Sequence, residues 1–476
     1  MENNLKHSKY RIIKKIGQGA FGSAYEVLNI NNNKKYVIKE IQIREASQNE
    51  VHDLLNEAYI LSTINNENVV KYIESFQEQD NINIVMEYCE GKDLKKFINE
   101  HKQNNTKIDE KQIYRFIQDI CQGLIDIHSK KLIHRDLKPA NIFITKDLKL
   151  KIGDFGLSKQ LSTYNEYAKT VCGTFFYMAP EIVNGEKYNY KVDSWSVGCI
   201  IYELCTLNIC FYSNKYIDLF TNIKEANFQK IETNDYGDDL KVIVNVLLEK
   251  DYKQRASLED ILNLANSYIE NNLINFFESN ILENNDGYKS YIIQWLKEPN
   301  QNYKDLKDIK LLYRGSRDGF KAVDFHEKCN NKGETLVIIR SNDDYIFGGY
   351  TEINWDNTKW NGKVGENNNS RREGNGNEFV FTLKNPHNIQ PSKFNMKNEW
   401  LNHSICCDAK LGPIFGCNDI RIENECNKNN NSFSFYDFKP GEYCFNDTTG
   451  KKRLLFTGTK TYKVKEIEVF NIIRIY

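Results

Sequence analysis

The chain has 476 residues, which at roughly 150 residues per domain predicts about three compact units and excludes one small domain. Its 64 Lys and Arg nearly balance 65 Asp and Glu, so no overall field argues for wrapping nucleic acid or lying on an anionic membrane. Hydrophobic residues make up 40% of the chain, which excludes disorder throughout. The longest apolar stretch, around 197–205, is far shorter than the roughly 20 residues of a membrane span, and the first residues lack a signal-peptide core. We therefore expect a cytoplasmic protein with no integral membrane segment and no nucleic-acid partner.

The 12 cysteines are scattered and form no C-x-x-C pair, a distribution typical of reduced, mostly buried thiols. One cluster raises a metal site as an alternative, and it comprises Cys406, Cys407, Cys417, Cys426 and His403. Spacing this irregular is more often packing, which is the interpretation we favour.

The first half of the chain shows two hydrophobic patterns, one after the other. From residue 10 to about 85, short alternating runs such as RIIKKIG and KKYVIKEIQI predict strands, interrupted by a helical stretch near 46–64. From about 93 to 269, apolar residues recur at helical spacing, and Pro139 and Pro180 mark loops. This half therefore predicts a β-rich lobe followed by a helical lobe.

The second half returns to strands. Residues 270–305 are rich in Asn and Glu with scattered apolar positions, so we expect a helical linker there. From 306 to 476, runs such as ETLVIIRS and DDYIFGGYTEI predict strands, with a hairpin turn at 342–344 and a helix around 319–329. The predicted fold class is α+β multidomain, with domains at 10–269 and 306–476.

The glycine run GQGAFG at 17–22 is a weak signal by itself. Dinucleotide-binding folds use the same spacing, and Glu40 or Glu45 lies near the distance expected of a ribose-binding acid. In those folds the last glycine opens a helix, whereas here SAYEVLNI predicts a strand, so a flap over phosphates fits better. Such a flap lets backbone N–H groups approach phosphate oxygens, and Lys39 on the next strand supplies a cation.

Further charged residues strengthen a phosphate-binding interpretation. Taken singly, Lys39 would be an exposed strand lysine and Glu57 a solvated helix position. Together they predict an ion pair that aims the ammonium at the α- and β-phosphates. Asp136 and Asn141 lie in HRDLKPANIFI, and Asp154 follows in KIGDFGLSK. Three oxygen-bearing side chains of this kind predict magnesium held against a polyphosphate.

These motifs, in this order, resemble the eukaryotic protein kinase family over about residues 10–269. The resemblance continues in MAPE with Glu181, in DSWSVG with Asp193, and at Arg255, where kinases pair an arginine with that glutamate. It implies a bilobal protein kinase fold with a β-rich N-lobe and a helical C-lobe. Within the family, YVIKEIQI, VMEYCEGKDL and Ala24 after the third glycine are similar to NIMA-related kinases.

The resemblance also implies a role for each matching residue. Asp136 orients the attacking hydroxyl and accepts its proton, Lys138 steadies the γ-phosphate, and Asn141 with Asp154 holds Mg²⁺. Lys39 and Glu57 count with Asp136 and Lys138 as catalytic. The implied ATP-binding residues are Ile16, Gly17, Gly19, Gly22, Ala24, Lys39, Met86, Glu87, Cys89 and Asp93. The implied structural residues are Arg135, Thr174, Glu181, Asp193 and Arg255.

Substrate and regulation follow from the same resemblance. The segment LKPAN and Thr174 are similar to serine/threonine kinases, and Leu157 favours Ser over Thr as the acceptor. Ala140 stands where many base-directed kinases carry a carboxylate, which argues against a strong preference for basic sites. Thr170 corresponds to an activating phosphosite, whose phosphate would accept a charge-assisted bond from Arg135.

The final strands resemble a second family, the TLDc domain, over about residues 306–476. The resemblance rests on LLYRGSRDGFKAVDFHEKC, the hairpin that follows, and KEIEVF. It implies a β-sandwich-like module linked to oxidative-stress resistance and, in some members, to the vacuolar proton pump. We thus expect a protein serine/threonine kinase that uses ATP and Mg²⁺ on protein substrates. The alternative is a catalytically weak scaffold whose TLDc half sets the biology by binding a partner.

Overall fold

The structure is a computed structural model that describes residues 5–6, 9–19, 22–44, 48–153, 175–231, 235–283, 285–298, 306–356, 371–372, 374–416, 419–434 and 454–474. The chain forms two compact units, Met1–Ile269 and Glu270–Tyr476. Within the described ranges, no helix is both long and apolar enough to span a bilayer.

The first unit opens with an antiparallel sheet in the strand order β1-β2-β3-β4-β6-β5. Its elements are β1 (Leu5–Lys6), β2 (Tyr10–Gly19), β3 (Gly22–Asn29), β4 (Lys35–Gln42), α1 (Gln48–Ser62), β5 (Tyr72–Glu78) and β6 (Asn81–Glu87). Alternating apolar residues bury one face of the sheet, where Tyr10, Val27, Ile38 and Val85 form one cluster. The helix predicted near 46–64 is α1.

Helices make up most of the rest of this unit. They are α2 (Leu94–Gln103), α3 (Glu110–Ser129), α4 (Pro180–Val183), α5 (Lys191–Thr206), α6 (Tyr216–Lys224), α7 (Asp238–Leu247) and α8 (Leu258–Phe276), which begins in this unit and ends beyond Ile269, with short strands β7 (Ile142–Ile144) and β8 (Leu150–Ile152). Asp109 caps α3 by accepting the Gln112 N–H at 3.0 Å. Helix α5 is buried all round, which is why its sequence is apolar without a polar stripe.

The second unit contains two antiparallel sheets. The first has the order β14-β13-β11-β10-β20-β9 and the second β12-β15-β16-β17-β18-β19. Its elements are α9 (Asp286–Lys297), β9 (Leu306–Arg314), α10 (Gly315–Asp318), α11 (Ala322–Cys329), β10 (Thr335–Ser341), β11 (Ile346–Thr351), β12 (Arg371–Arg372), β13 (Phe379–Lys384), β14 (Ser392–Asn395), β15 (Ile405–Cys406), β16 (Ile414–Phe415), β17 (Ile420–Arg421), β18 (Ser432–Ser434), β19 (Thr461–Tyr462) and β20 (Val464–Arg474). The predicted hairpin is β10–β11, and the predicted helix is α11.

One apolar core fills the space between these sheets. Phe347, Trp355 and Phe415 are fully buried members of it. Gly349 in β11 allows this packing, since a Cβ there would lie 2.8 Å from the Phe415 ring. A β-sandwich-like arrangement is therefore formed by the sheets and this shared core.

The segment 285–298, within the predicted linker 270–305, packs inside the second unit. Ile292 and Ile293 on α9 are fully buried, and the Trp295 ring lies 5.8 Å from that of Phe381 on β13. Before α9, the Phe277 ring meets Phe470 edge to face at 4.9 Å. The apolar positions of this segment are thus used for packing.

The described cysteines are free thiols, and most are buried. Cys407 and Cys426 belong to the core of the second unit. Cys417 and the side chain of His403 fall outside the described residues. Among the residues that the structure does describe, no group of three or more His, Cys, Asp or Glu is placed to hold a metal ion.

Candidate active site

The three glycines of the run lie on β2 and β3, which pair as antiparallel neighbours up to Gly19 and Gly22, as a phosphate flap requires. Ile16 and Gly17 lie on β2, Gly17 is paired with Ala24 on β3, and Ala24 is paired with Lys39 on β4. Gly22 is required by the close approach of β4, because a Cβ there would lie 1.7 Å from the Glu40 carbonyl oxygen. The three glycines and Lys39 therefore occupy adjacent strands of one sheet.

The partner expected for Lys39 lies on α1. Glu57 falls within this helix, but its side chain is outside the described part of the chain. The Lys39–Glu57 ion pair thus stays a prediction.

The Asp136 carboxylate is held from two directions. Lys138 Nζ donates to Asp136 Oδ2 at 2.9 Å, and Asn141 Nδ2 donates to the same oxygen at 3.2 Å. Asn141 Nδ2 also donates to the Asp136 carbonyl at 2.8 Å, which fixes the amide orientation. The Asp136 side chain is 13% exposed, so it is shielded yet reachable by a hydroxyl. Asn141 uses its amide nitrogen for these bonds, so its Oδ1 lies on the side of the amide away from Asp136. Oxygen is the ligand atom that Mg²⁺ prefers.

Asp193 on α5 holds the loop that carries Asp136. Its carboxylate accepts the backbone N–H groups of His134 and Arg135 at 2.9 and 3.0 Å, and lies 2.8 Å from His128 Nε2. Burial alone would raise the pKa of Asp193, but the His128 contact, the nearby His134 side chain and the His134 backbone N–H bring that pKa below its usual value. Arg135 adopts a left-handed φ of 65°, a strained conformation that these bonds stabilise.

The strand that leads to Asp154 meets the same loop. Gly153 N–H donates to the Asn141 carbonyl at 2.9 Å, and the Gly153 carbonyl lies 3.0 Å from His134 Nε2. Asn141 and the residue before Asp154 are therefore neighbours. Asp154 itself, with Leu157, Thr170 and Thr174, lies outside the described residues.

The residues expected at the adenine pocket lie at the end of β6 and just after it. Met86 is half-buried and paired with Val37 on β4. Burial, with the nearby Glu87 carboxylate, raises the pKa of the Cys89 thiol to about 11, so this thiol stays protonated. Asp93 caps α2, since its Oδ1 accepts the Lys96 N–H at 2.8 Å. Its role toward a ribose stays a prediction.

Glu181 and Arg255 form a buried, forked ion pair. Arg255 Nη1 and Nη2 donate to the two carboxylate oxygens at 2.8 and 2.9 Å. The guanidinium also lies 5.1 Å from the Trp195 ring centroid. This pair joins the MAPE segment to the helical core.

Sequence reasoning missed several residues of this region. Gly91 is needed after β6, because a Cβ there would lie 1.5 Å from the Ile144 carbonyl oxygen. Tyr177 donates to Glu203 Oε2 at 2.6 Å in a buried contact, and burial raises the pKa of Glu203. The glycine in CEGKDL was a usable signal, whereas the Tyr177–Glu203 pair joins residues far apart in the chain and left none.

Comparisons with known proteins agree with the two families. A model described as the protein kinase domain matches residues 10–266, more than half of the chain, and one described as the TLDc domain matches 277–473. Serine/threonine-protein kinase Nek1 of Mus musculus is 39% identical over 254 residues, covering 53% of this chain and 21% of that protein. Serine/threonine-protein kinase Nek5 of Homo sapiens is 37% identical over 276 residues, covering 58% and 38%.

A relative from Dictyostelium discoideum, probable serine/threonine-protein kinase nek2, is 33% identical over 259 residues, covering 53% of this chain and 62% of that protein. The chain thus spans less than two thirds of the length of each of these relatives. In all three the matched part of this chain is about the length of its first unit.

Proposed function

Because this chain belongs to the protein kinase family and carries a TLDc domain, we propose that it transfers the γ-phosphoryl group of ATP to Ser and Thr hydroxyls of proteins. The observation that carries the proposal is the cluster of Asp136, Lys138 and Asn141 on one loop. Members of the protein kinase family use ATP with Mg²⁺, and phosphoryl transfer requires alignment and charge neutralisation more than covalent work.

Each residue of the cluster has a task in this reaction. Asp136 orients the acceptor hydroxyl and accepts its proton, while Lys138 places a positive charge near the transferring group. Lys39 aligns the phosphates under the β2–β3 flap. Mg²⁺ would neutralise phosphate charge, held by Asn141 and Asp154.

Protein Ser and Thr are the proposed acceptors. The relatives named above are serine/threonine-protein kinases, and LKPAN and Thr174 resemble that class. Leu157 supports a preference for Ser, and Ala140 supports weak selection for basic sites. The cytoplasm is the proposed compartment, in keeping with the free thiols of the described cysteines.

The direct test is phosphate transfer from ATP to a library of Ser and Thr peptides by the full chain. Wild type should label Ser peptides faster than matched Thr peptides. Lys39→Ala and Asp154→Ala should each lower the rate by about a hundredfold or more, since one loses phosphate alignment and the other a metal ligand. Unchanged transfer by Asp154→Ala would contradict the proposal.

Phosphorylation of Thr170 is the proposed activating step. A phosphate there would carry about −1.5 to −2 charges and accept a forked bond from the guanidinium of Arg135, beside Asp136. We expect Thr170→Ala to lower kcat while the protein stays folded. Mass spectrometry and a phosphatase-treated wild type are the matched controls, and full activity of Thr170→Ala without other changes would contradict this step.

The second unit is proposed to be a module that binds a protein partner. The match to the TLDc domain supports this proposal, and the unit has an apolar core of its own around Trp355 and Phe415. Affinity capture with residues 270–476 should retain specific proteins, and a core variant, Phe415→Ala, should lose them.

A further inference from the structure

An ion pair outside the motifs joins the end of β6 to β8. Lys151 Nζ donates to Glu87 Oε1 at 2.8 Å. The same oxygen accepts the Lys71 N–H at 2.8 Å, and the Lys71 carbonyl accepts the Glu87 N–H at 2.9 Å. The Lys151 and Glu87 side chains are 20% and 29% exposed, so solvent screens this pair only in part. The Glu87 side chain is therefore fixed from both neighbouring segments.

Strand β8 and the residue after it connect this contact to the loop that carries Asp136 and Asn141, here called the catalytic loop. Directly after Lys151, the Ile152 N–H donates to the Asn68 carbonyl at 2.8 Å. The next residue, Gly153, donates its N–H to the Asn141 carbonyl at 2.9 Å. Glu87 and Asn141 are thus connected through three consecutive residues of one extended segment, 151–153.

A neighbouring lysine offers a matched comparison. Lys149 lies two residues before Lys151, and its Nζ pairs with Glu67 Oε2 at 2.9 Å. Glu67 is 60% exposed and lies away from residues 86–89 in the chain. Removing either lysine changes the net charge equally, but only Lys151 contacts Glu87 among the contacts described for these two side chains.

We propose that Lys151 is a positioning residue for ATP. Through Glu87 it holds the backbone of residues 86–89, which would bind the adenine ring, in a fixed position relative to the catalytic loop. The inference rests on the proposed function and on the expected ATP-binding role of Met86, Glu87 and Cys89, whose backbone would bond the edge of the adenine ring. Because Lys151 would act through its contact with Glu87, replacing it should weaken ATP binding and leave the transfer step nearly unchanged.

Steady-state kinetics and ADP titration calorimetry on the full chain test this role. Lys151→Met should raise KM for ATP and Kd for ADP by about three- to tenfold, with kcat within about twofold of wild type. Lys149→Met should change neither quantity. Lys151→Arg, which keeps the positive charge, should restore most of the affinity.

A double-mutant cycle separates the pair from general destabilisation. Glu87→Gln should weaken ADP binding by itself and add little in the Lys151→Met background. ADP affinity unchanged or tighter in Lys151→Met, or an equal effect of Lys149→Met, would overturn the positioning role. Should Lys151→Met fail to fold, Lys151→Arg and Glu87→Gln still decide, because their predicted affinities differ. A folded wild type that binds neither ATP nor ADP would instead contradict the proposed function.

Discussion

The Asp193 carboxylate lies at the base of the catalytic loop. It accepts two backbone N–H groups that would otherwise need water, and it contacts His128. An amide at this position keeps the size but has a single acceptor oxygen, and its NH₂ group would face a donor. The carboxylate is therefore the group that satisfies all these neighbours.

Asp193→Asn should lower the free energy of unfolding by about 3 kcal/mol, since it leaves a buried donor unpaired. Urea unfolding at neutral pH measures this value. Asp126→Asn, a change on the adjacent helix α3, serves as the control of equal charge. Equal stability of Asp193→Asn and wild type would contradict the account.

The same pair of proteins has a predicted pH dependence. The pKa of Asp193 is below its usual value in the folded state, so its carboxylate contributes stability above the ordinary pKa of about 4. This contribution is lost as the pH falls through the folded pKa. The stability gap between wild type and Asp193→Asn should therefore be constant near neutral pH and shrink in acid.

A substitution at Arg255 separates the contribution of the forked bond to Glu181 from that of the positive charge. Arg255→Lys keeps the positive charge, but a single ammonium nitrogen cannot form the two parallel bonds that Arg255 Nη1 and Nη2 make to Glu181, so we expect a loss of about 2 kcal/mol or more in unfolding free energy. Lys253→Ala, an exposed neighbour, should change stability by less than about 0.5 kcal/mol. Thermal denaturation compares the stabilities of the two variants. An Arg255→Lys variant as stable as wild type would show that the forked bond is unimportant.

Three of the active-site residues that the sequence predicted stand close together in the chain. Asp136, Lys138 and Asn141 share one short loop, so their spacing predicted their proximity. His128 and Gly91 were missed because their importance arises from contacts with Asp193 and Ile144, which lie far away in sequence. Such long-range contacts leave little local pattern.

At the scale of elements, prediction worked where periodicity is long. Helix α1 and the β10–β11 hairpin have clear helical or alternating runs with turn residues. Strands β15 to β19 are each only two or three residues long, too short to show alternation. Their pairing depends on the shared core, which the sequence shows only as scattered apolar residues.

Helix α9 leads to a prediction about truncation. It buries Ile292, Ile293 and Leu296 in the second unit, and the Glu468 carboxylate accepts the Ser279 hydroxyl at 2.5 Å. Residues 270–476 should therefore unfold cooperatively, whereas residues 300–476 should melt at a lower temperature or lack a transition. Calorimetry of both fragments decides, and equal melting temperatures would contradict a role for this segment.

At the scale of the whole molecule, each of the two units has its own core, and we propose a different function for each. The first contains the residues around Asp136, and the second has the TLDc match and an apolar core of its own. The sequence predicted both families from their motifs, since fixed residues at fixed spacing are read directly from the chain. It did not predict that Phe277 and helix α9 pack within the second unit, because a helical pattern does not show which surface the helix packs against.

Asp136, held by Lys138 and Asn141, is the proposed base of a phosphoryl transfer from ATP. The most direct measurement is single-turnover transfer from ATP to a Ser peptide by Asp136→Asn, with ADP affinity measured on the same sample. We predict a rate lower by about a hundredfold or more, with ADP affinity within about twofold of wild type. Transfer at the wild-type rate by Asp136→Asn would contradict the claim.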